Sequence, residues 1–373
     1  MREGMKVDKT KWENALIKDS IKTLKVKDAV QKKDYLLTGK YPIISQEKDF
    51  ISGYCNIEDN LNEVLEEVII FGDHTRIVKY VDFDFCVGAD GVKVLRPNNK
   101  LSAKYLYYFI KWSNIPSNGY SRHFKFLKEI EIKYPKDKSI QQTIASELDA
   151  IQTMIDGYKA QLEDLDALAQ SIFLDMFGDP VSNPKGWEKG FLNKYASIGT
   201  GATPSRKIVS YYEGDIPWVK STEVHNSYIW ETQEHITKEA IDNSNCSIYL
   251  PDTILVAMYG QGKTRGQVGL LRIKAATNQA CAAIQCKDSL NPTFCYWHFQ
   301  MCYEANRELG NGTNQKNMNL TIVGNIKFII PPLSLQQEFA FKIESIEKQK
   351  ELICKQLEDA KTMMAERMQY YFS

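Results

Sequence analysis

The sequence predicts an α+β fold built twice, with two globular mixed α/β domains joined by two long antiparallel helices that form a coiled-coil spacer, the halves related as a pseudo-two-fold internal repeat. Three observations carry this. Ser139-Ile-Gln-Gln142, Gln161-Leu-Glu-Asp164 and Phe177 recur as Ser334-Leu-Gln-Gln337, Gln356-Leu-Glu-Asp359 and Phe372, each pair 195 positions apart. Both stretches carry a long helical periodicity. Each is preceded by short β-type runs that also recur, Gly39-Lys-Tyr-Pro42-Ile-Ile-Ser45 against Gly214-Asp-Ile-Pro217-Trp-Val-Lys220, 175 positions apart. A unit this large is a duplicated module rather than a solenoid repeat.

The chain reads in four segments: globular 1–138, helical 139–178, globular 179–333 and helical 334–373. In the first, Trp12-Glu-Asn-Ala-Leu16 and Val68-Ile-Ile-Phe-Gly72 are short strand-like runs, answered in the third by Trp187-Glu-Lys-Gly-Phe-Leu192 and Thr253-Ile-Leu-Val-Ala257. The pairs Thr75-Arg76 and Thr264-Arg265 lie 189 apart, so the second globular part has gained residues on the way from 175 to 195. Shared architecture with diverged detail implies different targets.

Each helix opens on the S-x-x-Q spacing of a capping box, Ser139 with Gln142 and Ser334 with Gln337, in which hydroxyl and amide satisfy free N–H groups of the first turn. Ile144, Leu148, Ile151, Ile155, Tyr158, Leu162, Leu165, Ala169, Ile172 and Met176 then step mostly by threes and fours, a heptad seam ended by Gly178 and Pro180. The second seam, Ile343, Ile346, Lys350, Ile353, Leu357, Ala360, Met364, Arg367 and Tyr371, is interrupted by two cations. A helix of this length spans on the order of 55 Å. The first leaves the first domain and the second starts from the second, so paired seams run antiparallel. Met154, Leu168, Phe173 and Leu174 lie off the seam and either offer a second face to a partner helix or lean on the globular domains.

At 373 residues, 43% apolar and 11% aromatic, the chain buries real cores and is not disordered. Its start is charged, with no apolar leader and no run long enough to span a bilayer, so a cytosolic protein is expected. The eight cysteines lack metal or redox spacing. Net charge is zero but unevenly placed: 141–177 carry seven acidic residues and one basic, while lysines cluster at 18–33 and basic residues again at 122–138. Such runs are either solvated faces or surfaces for a polyanion.

Polar loops are the candidate contacts. Tyr259-Gly-Gln-Gly262-Lys263-Thr264 has the end of a phosphate loop, but Ala257 stands where the first glycine is needed and a strand-like run follows. A strand leading to a glycine turn with Gln261, Lys263, Thr264 and Arg265 is instead a set of donors for phosphates or base edges. Thr75 and Arg76 are their counterparts in the first copy. A second loop holds Thr313, Asn314, Gln315, Lys316 and Asn317, answered by Tyr120, Arg122 and Lys125. The strand ends Ser45-Gln46 and Lys220-Ser221 complete the set. Each loop alone also reads as an ordinary turn. The histidines show no metal spacing and no nucleophile or adenine-methylation motif is present, so catalysis in this chain is not expected.

Gly214-Asp-Ile-Pro-Trp-Val-Lys220, Leu250-Pro-Asp-Thr-Ile-Leu-Val-Ala-Met258, Asn278-Gln-Ala-Cys-Ala-Ala-Ile284, Gly310-Asn-Gly-Thr-Asn-Gln315 and Ile329-Ile-Pro-Pro-Leu333 together resemble the specificity subunits of type I restriction-modification systems. The resemblance runs along the whole chain and is weaker in the first copy. It implies two target-recognition domains, each reading one half of a split, asymmetric site in double-stranded DNA, with spacer helices that set the gap and dock two methylase subunits, and with restriction subunits joining through the complex. No cofactor is expected in this chain; S-adenosylmethionine, ATP and Mg belong to the partner subunits. A type II-like methylase-nuclease system and a coiled-coil protein scaffold are the alternative readings.

Overall fold

A computed structural model describes residues 7–88, 91–116, 119, 121–260, 263–309 and 317–373. The chain divides into two compact units, one of residues 1–160 with 354–373 and one of residues 161–353. Units are thus assembled across the four segments read from the sequence, because each takes part of both long helices. Those helices are Lys138–Phe177 and Leu333–Phe372.

In the first unit, strand Glu13–Leu16 pairs antiparallel with Glu131–Tyr134, directly before the central helix. One four-stranded antiparallel sheet runs Ile21–Thr23, Val92–Pro97, Val68–Gly72, Val78–Val81. A second runs Gly53–Cys55, Tyr41–Ile44, Phe85–Val87, Leu61–Asn62, with Tyr41–Ile44 and Phe85–Val87 parallel. Strand Val68–Gly72 is buried at every residue, which explains why it reads as a continuous apolar run rather than an alternating one.

The second unit repeats this plan and adds to it. Lys189–Phe191 pairs with Lys327–Ile329 before the C-terminal helix. The larger sheet runs Ala196–Thr200, Cys281–Cys286, Ile254–Ala257, Val268–Leu271 and gains a fifth strand, Ser227–Ile229, parallel to Val268–Leu271. The smaller runs His235–Ile236, Ile216–Val219, Ala275–Thr277, Ile248–Tyr249 with the same directions as its counterpart. The extra strand and the short helix Lys238–Asp242 lie between the counterparts of Tyr41–Ile44 and Val68–Gly72, where the repeat offset jumps.

Both long helices form, but their caps differ from the S-x-x-Q expectation. Asp137 Oδ1 accepts from Ser139 N at 2.8 Å, so the cap stands two residues before Ser139, and Ser334 and Gln337 are exposed. The repeated glutamine that matters is the one before. Gln141, fully buried, accepts at Oε1 from Ser102 N (2.8 Å) and donates from Nε2 to Lys100 O and Pro135 O (2.8 Å each). Gln336, equally buried, accepts from Asn291 N (2.9 Å) and donates to Pro331 O (2.8 Å). Ser102 and Asn291 are themselves N-caps, of helices Ala103–Trp112 and Pro292–Met301. One buried amide therefore joins two helix starts in each unit.

The repeated phenylalanine has an equally specific place. Phe177, ending the central helix, packs on Phe294 (centroids 4.8 Å) and Phe339 (5.4 Å) within the second unit. Phe372, ending the C-terminal helix, packs on Tyr105 (5.4 Å), Phe109 (5.7 Å) and Trp112 (5.9 Å) within the first. Gly178, at φ 76°, then turns the chain out of the helix and its N–H returns to Leu174 O at 2.8 Å, the left-handed stop that glycine accepts without strain.

Seam residues Leu148, Ile151, Ile155, Ile343, Ile346, Leu357 and Met364 are buried, and Tyr158, Leu162, Leu165, Ile172 and Ile353 are half-buried. In the second unit Phe339 meets Phe173 and Phe177 while Lys350 meets Asp166 (2.7 Å), so the segments run antiparallel. The two interrupting cations belong in the seam: Lys350 pairs with Asp166 and Glu347, and Arg367 with Glu147 (3.1 Å), which also accepts from Tyr371 Oη (2.6 Å). Of the off-seam residues, Phe173 is buried against the globular part, whereas Met154, Leu168 and Leu174 are exposed.

Candidate nucleic-acid interface

In both units the two loops singled out by sequence are tied together by an equivalent backbone bond. His123 N donates to Asp73 O at 2.8 Å in the first, and Met318 N to Met258 O at 3.1 Å in the second. Positions 123 and 318 are 195 apart. Each tie joins the turn that follows the buried strand to the end of the polar loop that precedes the long helix.

In the first unit this turn is held from several sides. Asp73 is 3% exposed and accepts at Oδ1 from Phe124 N (2.7 Å). Gln46 Oε1 accepts from His74 N (3.1 Å), and Gln46 O accepts from Thr75 Oγ1 (2.8 Å). A Cβ on Gly72 would stand 2.3 Å from Thr75 Oγ1 and 2.8 Å from Gln46 Cβ, so glycine there is what lets the strand end and the Gln46 loop close on each other. Arg76, at φ 61°, is exposed and donates from Nη1 to Ile115 O at 2.9 Å. Lys48, Arg76 and Lys111 are among the residues that line one groove. Arg122 and Lys125 are exposed on the segment docked to Asp73, Lys125 over the Phe126 ring at 4.8 Å. Gln46, Thr75, Arg76, Arg122 and Lys125 are thus brought to neighbouring loops. Ser45 is placed otherwise: 1% exposed, with Oγ 2.6 Å from Ser52 Oγ and accepting from Glu47 N, it braces the Gln46 loop from inside. Tyr120 lies outside the described residues.

In the second unit, strand Val268–Leu271 follows the glycine turn, as the rejection of a phosphate loop required. Lys263 is exposed and its carbonyl accepts from Tyr303 Oη. Thr264 and Arg265 are half-buried. Arg265 Nη2 reaches Arg307 O at 3.5 Å, and a Cβ on Gly266 would touch Arg307 Cγ at 2.9 Å. The turn is therefore packed on the short helix Tyr303–Arg307. Asn317 is half-buried beside the Met318–Met258 tie. Gln261, Thr313, Asn314, Gln315 and Lys316 lie outside the described residues.

Lys220 and Ser221 are half-buried at the end of strand Ile216–Val219. Lys220 Nζ is 2.8 Å from Glu234, whose other oxygen pairs with Arg206 Nη1 at 2.6 Å. Bonds from Arg206 and then Lys220 hold the Glu234 carboxyl below the usual carboxylate range. Arg206 and Glu234 were not found by sequence reasoning. The available signal was the Thr203-Pro-Ser-Arg-Lys207 stretch, a basic pair shortly after a proline; the carboxylate lies 28 positions on, too far for a local pattern to pair the two.

Among the described residues no group of His, Cys, Asp and Glu could hold a metal ion. His298 is fully buried, stacked on Phe328 at 3.8 Å, and accepts at Nε2 from Ile329 N (3.3 Å). Burial pushes its pKa down to about 3, so it stays a neutral core side chain. No helix among the described residues is long and apolar enough to cross a membrane.

Two stretches, 9–166 and 184–361, match the model of the type I restriction modification DNA specificity domain. The chain belongs to that family. Each stretch holds one pair of tied loops, so each specificity domain brings its own candidate surface. The chain is 26% identical over 279 residues to the specificity subunit of the type I restriction enzyme EcoR124I/EcoR124II of Escherichia coli, covering 68% of this chain and 66% of that protein. It is 24% identical over 307 residues to the MjaIX specificity subunit of Methanocaldococcus jannaschii, covering 72% and 69%. The matches thus span about two thirds of those relatives' length. The fold is that of the type I restriction-modification S subunit from M. genitalium, with TM-score 0.65 at 16% identity over 99% of this chain and 98% of that one. A chain solved in a study of complex assembly and conformational transition of the type I system aligns with TM-score 0.55 at 11% identity, over 97% of each.

Proposed function

We propose that this chain is the non-catalytic DNA-recognition subunit of a type I restriction-modification complex, in which each specificity domain reads one half of a split, asymmetric site. The observation that carries this is the pairing of a repeated scaffold with unlike loops: the Met318–Met258 and His123–Asp73 ties are equivalent, while the side chains displayed around them differ. Two equal scaffolds with different surfaces suit an asymmetric target. Lysine and arginine at the loops hold phosphates and set register, and a few amide and guanidinium groups read major-groove edges.

The long helices set the gap between half-sites and dock two methylase subunits, with restriction subunits joining the complex. Adenine methylation and cleavage, with S-adenosylmethionine, ATP and Mg, belong to those partners, and the assembly works in the cytoplasm. Binding selection with the full chain and its methylase partner on duplexes randomised across the target tests this. Two short defined motifs separated by an unspecified gap are expected. Salt-insensitive binding, or a single uninterrupted motif, contradicts it, because phosphate contacts make affinity fall with salt.

A further inference from the structure

Arg206 stands over two aromatic rings beside a carboxylate that it shares with Lys220, at the edge of a predicted contact site. Its Cζ lies 4.0 Å from the Tyr212 ring centroid and 5.1 Å from that of Trp218. Trp218 is buried, its Nε1 donating to Ala202 O at 3.1 Å, and Tyr212 Oη donates to Pro204 O at 2.7 Å. The rings are therefore fixed, and they are fixed to the loop that carries Arg206. Glu234 accepts from Nη1 (2.6 Å) and spans to Lys220 (2.8 Å). Arg206 nevertheless keeps 52% of its side chain exposed.

This geometry separates two uses of an arginine. A phosphate contact wants a bare cation and is opposed by a carboxylate a hydrogen bond away, since phosphate and Glu234 would repel. A base contact wants a guanidinium whose plane is set in advance, with free N–H groups along one edge and the remaining edge anchored. Arginine paired to guanine O6 and N7 is the bidentate form of that contact. Resting on the assignment of this unit as a DNA reader, we propose that Arg206 is a specificity-determining residue that reads a guanine in the half-site of the second unit, with Tyr212, Trp218 and Glu234 as positioning residues. The first unit does not repeat these residues: the positions 175 earlier are Gln31, Leu37 and Ile43. The guanine dependence belongs to one half-site only.

The test is binding selection with the full chain in complex with its methylase partner, comparing wild type, Arg206→Ala, Arg206→Lys and Glu234→Gln. Wild type should select guanine at one position of one half-site. Arg206→Ala should lose about 5- to 100-fold of discrimination at that position alone, and the other half-site should be unchanged. Arg206→Lys keeps the charge but not the planar fork, so it should bind nonspecific duplex as wild type does and still lose the guanine preference. Glu234→Gln should weaken that preference partially. If Arg206→Ala instead keeps the wild-type motif while lowering affinity for every sequence and reducing the salt slope by about one, Arg206 is a phosphate contact and the proposal is overturned. A wild-type complex that selects no motif in either half would overturn the DNA-reading assignment itself.

Discussion

The junctions where the long helices begin and the loops that face outward are built by opposite rules. At the junctions the two units repeat the bridging glutamine and the plugging phenylalanine: Gln141 and Gln336 bridge to the N-caps Ser102 and Asn291, and Phe372 and Phe177 plug equivalent helices. At the loops they agree only in backbone. The first unit closes its turn with Gln46, Thr75 and Arg76, and the second packs Arg265 on Arg307 and sets Arg206 between Tyr212 and Glu234. Buried polar groups and close-packed rings tolerate little change because every partner lost is a desolvation cost. Exposed side chains carry no such constraint, so the surface can differ while the scaffold repeats.

The sharpest way to break this comparison is at the ring plugs. Phe177→Ala and Phe372→Ala should each cost about 3–5 kcal/mol, as for other buried phenylalanines. The loss should fall on opposite units. Hydrogen exchange should show Phe372→Ala loosening the first unit, although position 372 is the far end of the chain, and Phe177→Ala loosening the second; the reverse pattern would contradict the unit assignment. By contrast Met154→Ala, exposed on the helix, should change stability by less than about 0.5 kcal/mol.

The glutamine junctions come next. Gln141→Ala and Gln336→Ala leave buried N–H and carbonyl groups without partners and should each destabilise by about 2–4 kcal/mol in denaturant titration. Equal losses would sharpen the claim that the junctions are the same device.

At the loops, Arg76→Ala and Arg265→Ala should leave the fold intact and change selection at different half-sites, by about 1–3 kcal/mol each. A common loss at both halves would erase the distinction between units. The smallest effect is a pH one. The Glu234 carboxyl titrates below its ordinary range in the folded chain, so its stabilisation is fully present above the unfolded carboxylate pKa and is lost as pH falls through the lowered folded value. Glu234→Gln should remove that part of the acid sensitivity, worth within about 1 kcal/mol for a pair that solvent reaches.

How much of this could be read beforehand follows the same division. Strong periodicity made the helices and their seam legible, and Lys350 and Arg367, which looked like breaks, are seam residues whose cations meet carboxylates of the facing helix. The capping signal misled by a residue or two, since Asp137 supplied the cap and Gln141, not Gln142, the bridge; a helix-start glutamine reads alike whether it turns back on its own helix or reaches a distant one. Loop positions were legible as Gly- and Asn-rich turns, but side-chain direction was not. Ser45 points inward and Lys220 is engaged by a carboxylate that sequence places 14 positions away. Arg206 was missed because its partners, Tyr212, Trp218 and Glu234, meet only after two strands and a turn have folded.

In the proposed function the two units read different half-sites and the repeated helices set the gap between them. Removing one heptad from each at equivalent places, residues 158–164 and 353–359, keeps the seam in phase and shortens each helix by about 10 Å, close to three base pairs of duplex at about 3.4 Å each. Binding selection with the methylase-bound variant should return both half-site motifs unaltered with a shifted preferred gap. Both motifs at the original gap would contradict the account.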